Sequence, residues 1–182
     1  RAGLVGSDGP THHGVFDSDF LMNIPGATVW SPQNGNELQG MLLEAEARPL
    51  DGPLFIRYPK ARTQGGAPTD FHTHKWLQKS GGSSLWVSTG ALSDLMKKGE
   101  NHLHLAQNWP FFDDFGAILS DFEEIHVFEE STGLGGLAGA VKALMAELDH
   151  SGKCITHKLP IAFIEHGPRL QLLRDHGFNN LL

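Results

Sequence analysis

The sequence predicts an α/β chain in two unequal parts, and three observations carry that reading. Short runs of β-prone residues alternate with helix-length segments, the order that builds a parallel sheet covered by helices. Two such runs, Ala27-Thr28-Val29-Trp30 and Pro53-Leu54-Phe55-Ile56-Arg57-Tyr58, flank one helical stretch, and four more follow after a gap. Within the gap, from Ala61 to Gly82, Gly, Thr, Pro and polar residues dominate, which predicts a linker crossing a surface. The expected units are residues 1–60, a linker over 61–82, and residues 83–182.

Each element has a local reason. The stretch Ser7-Asp8-Gly9-Pro10-Thr11-His12-His13-Gly14 packs turn formers around two histidines and reads as an ordered loop. After the run ending at Trp30, Ser31 is expected as a helix cap and Pro32 at the first helical position, with Leu38, Met41, Leu42 and Ala45 recurring at helical spacing. Strand, helix and strand in that order predict a parallel pair joined by a right-handed crossover, so residues 1–60 hold half a sheet at most. Beyond the linker, strands are expected at 84–88, 103–106, 125–128 and 154–157. Helices are expected around 91–98, 113–121, 136–149 and 168–176.

Composition excludes several function classes. The 182 residues, 40% of them hydrophobic, suffice for one ordinary domain or two small ones. Twenty-one acidic against fourteen scattered basic residues give a formal charge of −7, which argues against a nucleic-acid partner. No apolar run approaches the roughly 20 residues of a membrane span. A single cysteine, Cys154, excludes an intrachain disulfide and fits a reducing, cytoplasmic compartment. The opening Arg1-Ala2-Gly3-Leu4-Val5-Gly6 has neither the charged start nor the apolar core of a signal peptide, and predicts a chain that begins mid-protein.

Several stretches could carry chemistry. In the 8–14 loop, Asp8 can hold a substrate hydroxyl and His12 can move protons near neutral pH; taken alone, the local pattern favours an Asx turn with surface histidines. Arg57 ends an apolar strand, where ligands of open parallel sheets gather, and a guanidinium there suits a phosphate. The alternative is a structural arginine paired with a carboxylate. Gly133, Gly135 and Ala138 match the spacing of a dinucleotide-binding turn. No acidic residue closes the following strand to grip a ribose, and Glu129 and Glu130 would repel a pyrophosphate, so close packing and an interface role are expected instead. His72-Thr73-His74 and His102-Leu103-His104 each place two imidazoles on one side of an extended segment, yet no third ligand stands at a zinc-binding spacing. Cys154 is expected as a small core residue.

Taken together, Arg1 through Gly14, Ile24-Pro25, Ser31-Pro32 with Asn36-Glu37-Leu38, and Asp51-Gly52-Pro53 through Ile56-Arg57-Tyr58-Pro59 closely resemble the 1-deoxy-D-xylulose-5-phosphate synthase family. The similarity continues more weakly through Ser88-Thr89-Gly90, Val127-Phe128-Glu129-Glu130, Gly135-Gly136 and Leu159-Pro160. Residues Lys60-Ala61 depart from the family's usual arginine and glycine, and 62–79 match poorly.

The resemblance implies the end of a pyrimidine-binding domain over 1–60 and a transketolase carboxy-terminal domain over 83–182. It implies a thiamine-diphosphate- and Mg2+-dependent transferase that joins pyruvate, with loss of CO2, to glyceraldehyde 3-phosphate, supplying isoprenoid, thiamine and pyridoxal synthesis, and that works as a homodimer. Asp8 and His12 match residues at the reacting centre, and Arg57 matches the arginine that receives the aldose phosphate. The glutamate that activates the aminopyrimidine and the diphosphate–magnesium motif match nothing here, so the resemblance implies that the chain alone is inactive. The beta subunit of a 2-oxoacid dehydrogenase is the alternative within transketolase-like enzymes. A non-catalytic dimerisation module is the alternative outside catalysis.

Overall fold

The computed structural model describes residues 1–62, 65–97 and 101–179. A 3-10 turn at Gly6–Asp8 and helix α1 (Asp17–Leu21) open the chain. They are followed by β1 (Thr28–Trp30), α2 (Gly35–Ala47) and β2 (Leu54–Ile56). Strands β1 and β2 pair in parallel, with Val29 opposite Phe55, as strand–helix–strand order requires. Helix α2 starts later than its sequence suggests. Its cap is Asn34, whose side chain accepts from the backbone N–H of Asn36 and Glu37 at 3.1 and 3.2 Å. Ser31 is diverted from capping: its N–H donates to the Ala106 carbonyl at 2.7 Å, and its hydroxyl accepts from the Asn108 amide at 3.1 Å.

The second sheet contains β3 (His74–Gln78), β4 (Ser84–Thr89), β5 (Asn101–Leu105), β7 (Glu124–Phe128) and β8 (Lys153–His157), in the spatial order β3-β5-β4-β7-β8. The last four pair in parallel, and β3 closes the edge antiparallel to β5. The range 61–82 is therefore not all linker, because residues 74–78 form that edge strand. Its apolar signal was weak because β3 is partly exposed; Trp76 supplies the main contact with the core.

Between β5 and β7 the chain makes a short strand, β6 (Gln107–Trp109), and then α4 (Phe115–Ser120). Strand β6 leaves the second sheet and pairs antiparallel with β1, giving a three-stranded sheet in the order β2-β1-β6. Residues from the expected carboxy-terminal unit thus complete the sheet of the amino-terminal one. Helices α3 (Leu92–Leu95), α5 (Leu137–Glu147) and α6 (Arg169–Leu173), the last running into a π turn at Arg174–Phe178, finish the fold.

Alternation along the parallel strands sorts the core. Leu85, Val87, Leu103, Leu105, Ile125 and Val127 face α4 and α5, where Phe115, Leu119, Val141 and Met145 meet them. Trp86 and Phe128 face the other way, onto Leu4, Leu92, Leu159, Leu172 and Phe178. Cys154 packs, partly buried, against the first of these cores, and burial pushes its thiol pKa up.

Candidate functional site

The 8–14 loop is tied down at both ends. Gly3 and Gly14 exchange two backbone hydrogen bonds of 2.9 Å, and this pairing explains the glycine at position 14: a Cβ there would lie 1.6 Å from the Arg1 carbonyl oxygen. The Ala2 N–H donates to the Tyr58 carbonyl at 2.9 Å, which sets the loop beside the segment leaving β2. Asp8 accepts from Lys60 Nζ at 2.5 Å and from Arg1 at 2.6 Å. Lys60 first, and Arg1 after it, outweigh partial desolvation and hold the Asp8 carboxyl below its ordinary pKa. His12 is exposed, with its Nδ1 2.9 Å from the Thr11 hydroxyl. His13 turns inward, its Nδ1 accepting from the Val5 N–H at 3.0 Å.

Arg57 follows directly on β2 and is buried, 8% exposed. Its Nε and Nη2 donate to the two oxygens of Asp17 at 3.0 and 2.8 Å, and Nη2 also donates to the Gly14 carbonyl at 3.2 Å. The guanidinium therefore engages a carboxylate of the protein in the bidentate geometry that would suit a phosphate. It also ties the end of the 8–14 loop to β2. Asp8, through Lys60, and Arg57, through Gly14, belong to one region; His12 sits on the loop between those two ties.

The glycine-rich turn is filled from within. Glu129 is buried at the start of α5, where it accepts from the N–H groups of Leu137 and Ala138 at 3.0 and 2.9 Å. Burial pushes its carboxyl pKa up, against the opposing pull of the Ala138 N–H, the Ser131 hydroxyl, the Leu137 N–H and the Arg57 charge. A pyrophosphate would need those same N–H groups. Gly133, at φ +68°, turns the chain where a Cβ would meet the Lys158 side chain, so packing explains this glycine. Glu130 accepts from the Leu4 N–H at 2.9 Å and pairs with Arg169, which joins the chain's opening to α6.

A cleft of about 760 Å3 lies between the start of α2 and α3. One wall is the start of α2, with Gln33, Asn34 and Asn36; the facing wall includes Ala91, Asp94 and Leu95 of α3 and its approach, with Tyr58, Lys60 and Arg62 along the rim. Gln33 Nε2 donates to Asp94 Oδ1 at 3.2 Å across it. Beside this cleft runs a buried polar chain that the sequence did not disclose. His102 Nε2 is 2.6 Å from the Ser88 hydroxyl, which is 2.7 Å from the Ser93 hydroxyl. Ser93 is 2.8 Å from His104 Nδ1, and His104 Nε2 is 3.1 Å from Glu37, which also accepts from the Gln33 N–H. The shared face of His102 and His104 was legible in the strand alternation, but their partners are hydroxyls and a carboxylate rather than zinc. Among the described residues, no group of three or more His, Cys, Asp or Glu is placed to hold a metal ion. In the other pair, His74 is stacked on Phe112 at a centroid distance of 3.8 Å.

Comparison with known proteins places this geometry in context. Residues 1–65 match the family described as transketolase, pyrimidine binding domain. Over 98% of its length the chain is 32% identical to the 1-deoxy-D-xylulose-5-phosphate synthase of Chlorobium phaeovibrioides, and over 99% it is 28% identical to that of Thermotoga maritima. The chain spans 31% of the length of each of these relatives. A solved structure of a split-gene transketolase, described as an inactive beta4 tetramer, superposes with a TM-score of 0.78 at 17% identity, over 93% of this chain and 59% of that one. At that identity the likeness is one of fold. Among the described residues no helix is long and apolar enough to cross a membrane.

Proposed function

We propose that this chain, transketolase-like in fold and similar along nearly all its length to 1-deoxy-D-xylulose-5-phosphate synthases, supplies the acceptor side of such an enzyme. The reaction is the decarboxylative joining of pyruvate to glyceraldehyde 3-phosphate. The observation that carries this reading is the joint tethering of the 8–14 loop and the 57–60 segment, through Lys60 to Asp8 and Arg57 to Gly14, inside residues 1–65, the stretch that matches the pyrimidine-binding family.

Asp8, held ionised by Lys60 and Arg1, is an acceptor for a substrate hydroxyl. The exposed imidazole of His12 can give or take a proton at the loop surface. Arg57 takes the acceptor phosphate by exchanging Asp17 for it. Thiamine diphosphate supplies a nucleophilic carbon in this class of chemistry. At the start of α5 the N–H groups of Leu137 and Ala138 that its diphosphate would need are taken by Glu129, so the fit there is poor. Residues beyond this chain are therefore proposed to hold that group, in a cytoplasmic enzyme.

Isothermal titration with glyceraldehyde 3-phosphate tests the acceptor role. The chain is expected to bind it, and Arg57→Met is expected to abolish the heat while leaving the far-ultraviolet spectrum unchanged. Absence of binding in the parent chain would defeat the reading. Supplied with pyruvate, thiamine diphosphate and Mg2+ as well, the chain alone is expected to form no deoxyxylulose phosphate, and measurable product would contradict the division of labour proposed here.

The homodimer is proposed to form over α5, where Gly139, Ala140 and Ala143 line a groove of about 490 Å3 with Trp109 and Phe111. Small residues let a second helix approach closely, and the aromatic rings offer buried contact area. Sedimentation velocity is expected to show a dimer that Ala143→Glu converts to monomer; a dimer unchanged by that substitution would move the interface elsewhere.

A further inference from the structure

The chain of polar groups beside the cleft admits one arrangement of protons when Glu37 is ionised and both imidazoles are neutral. Glu37 can only accept, so the 3.1 Å contact requires His104 to carry its proton on Nε2. That leaves His104 Nδ1 as an acceptor, and the Ser93 hydroxyl must donate to it. Having spent its one proton, Ser93 must accept from Ser88. Ser88 is then left to accept from His102, whose proton is fixed on Nε2. Every donor in the series has one acceptor, and all four members from His102 to His104 are buried.

We propose that Glu37, His104, Ser93, Ser88 and His102 form a single proton-ordered latch that fixes the start of α2, one wall of the cleft, onto the second sheet. Glu37 lies on α2, in the part of the chain that carries the first sheet, whereas His104 and His102 lie on β5, Ser88 on β4 and Ser93 on α3. The same carboxylate that receives His104 also accepts from the Gln33 N–H, and Gln33 reaches across to Asp94. The cleft wall and the interior of the second sheet are thereby joined through one oxygen. The Lys75 ammonium on β3 also acts on Glu37 and favours its ionised form.

The arrangement resembles a nucleophile–base–acid series, but two features exclude acyl transfer. Ser93 is only 4% exposed, and its oxygen is already occupied by the Ser88 hydroxyl. These residues are positioning groups, and the inference holds whatever reaction the protein takes part in.

A proton-ordered chain responds as a whole. If His104 loses its acceptor, its proton can move to Nδ1 and donate to Ser93; both hydroxyls then turn, and His102 must accept at Nε2 and hold its own proton on Nδ1. A chain of independent contacts would leave His102 unaffected. Long-range 1H–15N spectra of 15N-histidine-labelled protein at pH 7.5 read the tautomers directly. Both His102 and His104 are expected as the Nε2–H form in the parent chain. Glu37→Ala is expected to shift both rings toward Nδ1–H and to speed amide exchange at Gln33 by roughly tenfold, and Glu37→Gln, which keeps an accepting oxygen, is expected to restore the parental spectrum. An Nδ1–H form of His104 in the parent chain would overturn the proposal even if the alanine variant failed to fold. So would a change at His104 in Glu37→Ala that leaves His102 untouched.

Discussion

Replacing Asp17 with alanine is expected to cost about 3 kcal/mol of folding stability, more than replacing its partner Arg57 with methionine, which should cost about 1 kcal/mol. The asymmetry follows from burial. The Arg57 side chain is 8% exposed and the Asp17 side chain 31%. Without Asp17, the guanidinium keeps the Gly14 carbonyl but loses two charge-assisted hydrogen bonds in a place water hardly reaches. Without Arg57, water can solvate the Asp17 carboxylate, and a methionine can occupy much of the vacated stem volume. Urea midpoints of the two variants and of the double variant measure both costs and their coupling. The double variant should recover much of the Asp17→Ala loss, since it removes the stranded charge. Equal costs for the two single variants would mean that the ion pair is far better solvated than its burial implies. The comparison also isolates function: a modest stability cost for Arg57→Met is what allows its effect on phosphate binding to be read separately.

The α/β order was legible because it rests on local signals. Parallel pairing of β1 with β2, and the apolar runs that became β4, β5, β7 and β8, follow from residues within each segment. What escaped the sequence was non-local. Strand β6 carries Gln107-Asn108-Trp109, too short and too polar at its first two positions to announce a strand, and it becomes one because β1 offers an open edge. Its Asn108 also takes Ser31 away from the helix cap, so one missed pairing accounts for the misplaced start of α2. The candidate site divides in the same way. Asp8, His12 and Arg57 could be singled out as candidates because they lie in compact motifs. Asp17, which holds Arg57, is separated from it by 40 residues and carries no motif of its own. In the latch, Glu37 and His104 are 67 residues apart, and the serines between them have no pattern that distinguishes them from turn or cap residues. Periodicity did show that His102 and His104 share a face; it could not show what lies above that face.

Acidification is expected to destabilise this fold from about pH 6.5 downward, with His102 as the main contributor. Burial in the sheet, and secondarily the neighbouring His104, push the His102 pKa from 6.5 down to about 4. The folded chain therefore keeps this ring neutral at pH values where the unfolded chain has already taken up a proton. Between these two pKa values the unfolded state binds more protons, so stability is complete above about pH 6.5 and declines as the pH falls toward 4. At about 1.4 kcal/mol per pKa unit, the loss across that window is about 3 kcal/mol from this residue. His74 and His157 have pKa values lowered mainly by burial and add to the slope with the same sign. Glu37 acts lower on the scale: His104 holds its carboxyl below 4.5 despite burial, so its contribution persists until the pH drops under the ordinary carboxylate range. Urea unfolding at pH 7.5, 5.5 and 4.5 tests this, with His102→Gln as the comparison. Glutamine can still donate to Ser88 but takes up no proton, so the variant should begin less stable at pH 7.5 and lose less on acidification. Parallel losses in the two proteins would show that His102 reaches solvent and titrates as an ordinary imidazole. A flattened slope in the variant would identify the buried ring as the group through which acid opens the sheet, at the end of the chain that Glu37 anchors beside the cleft.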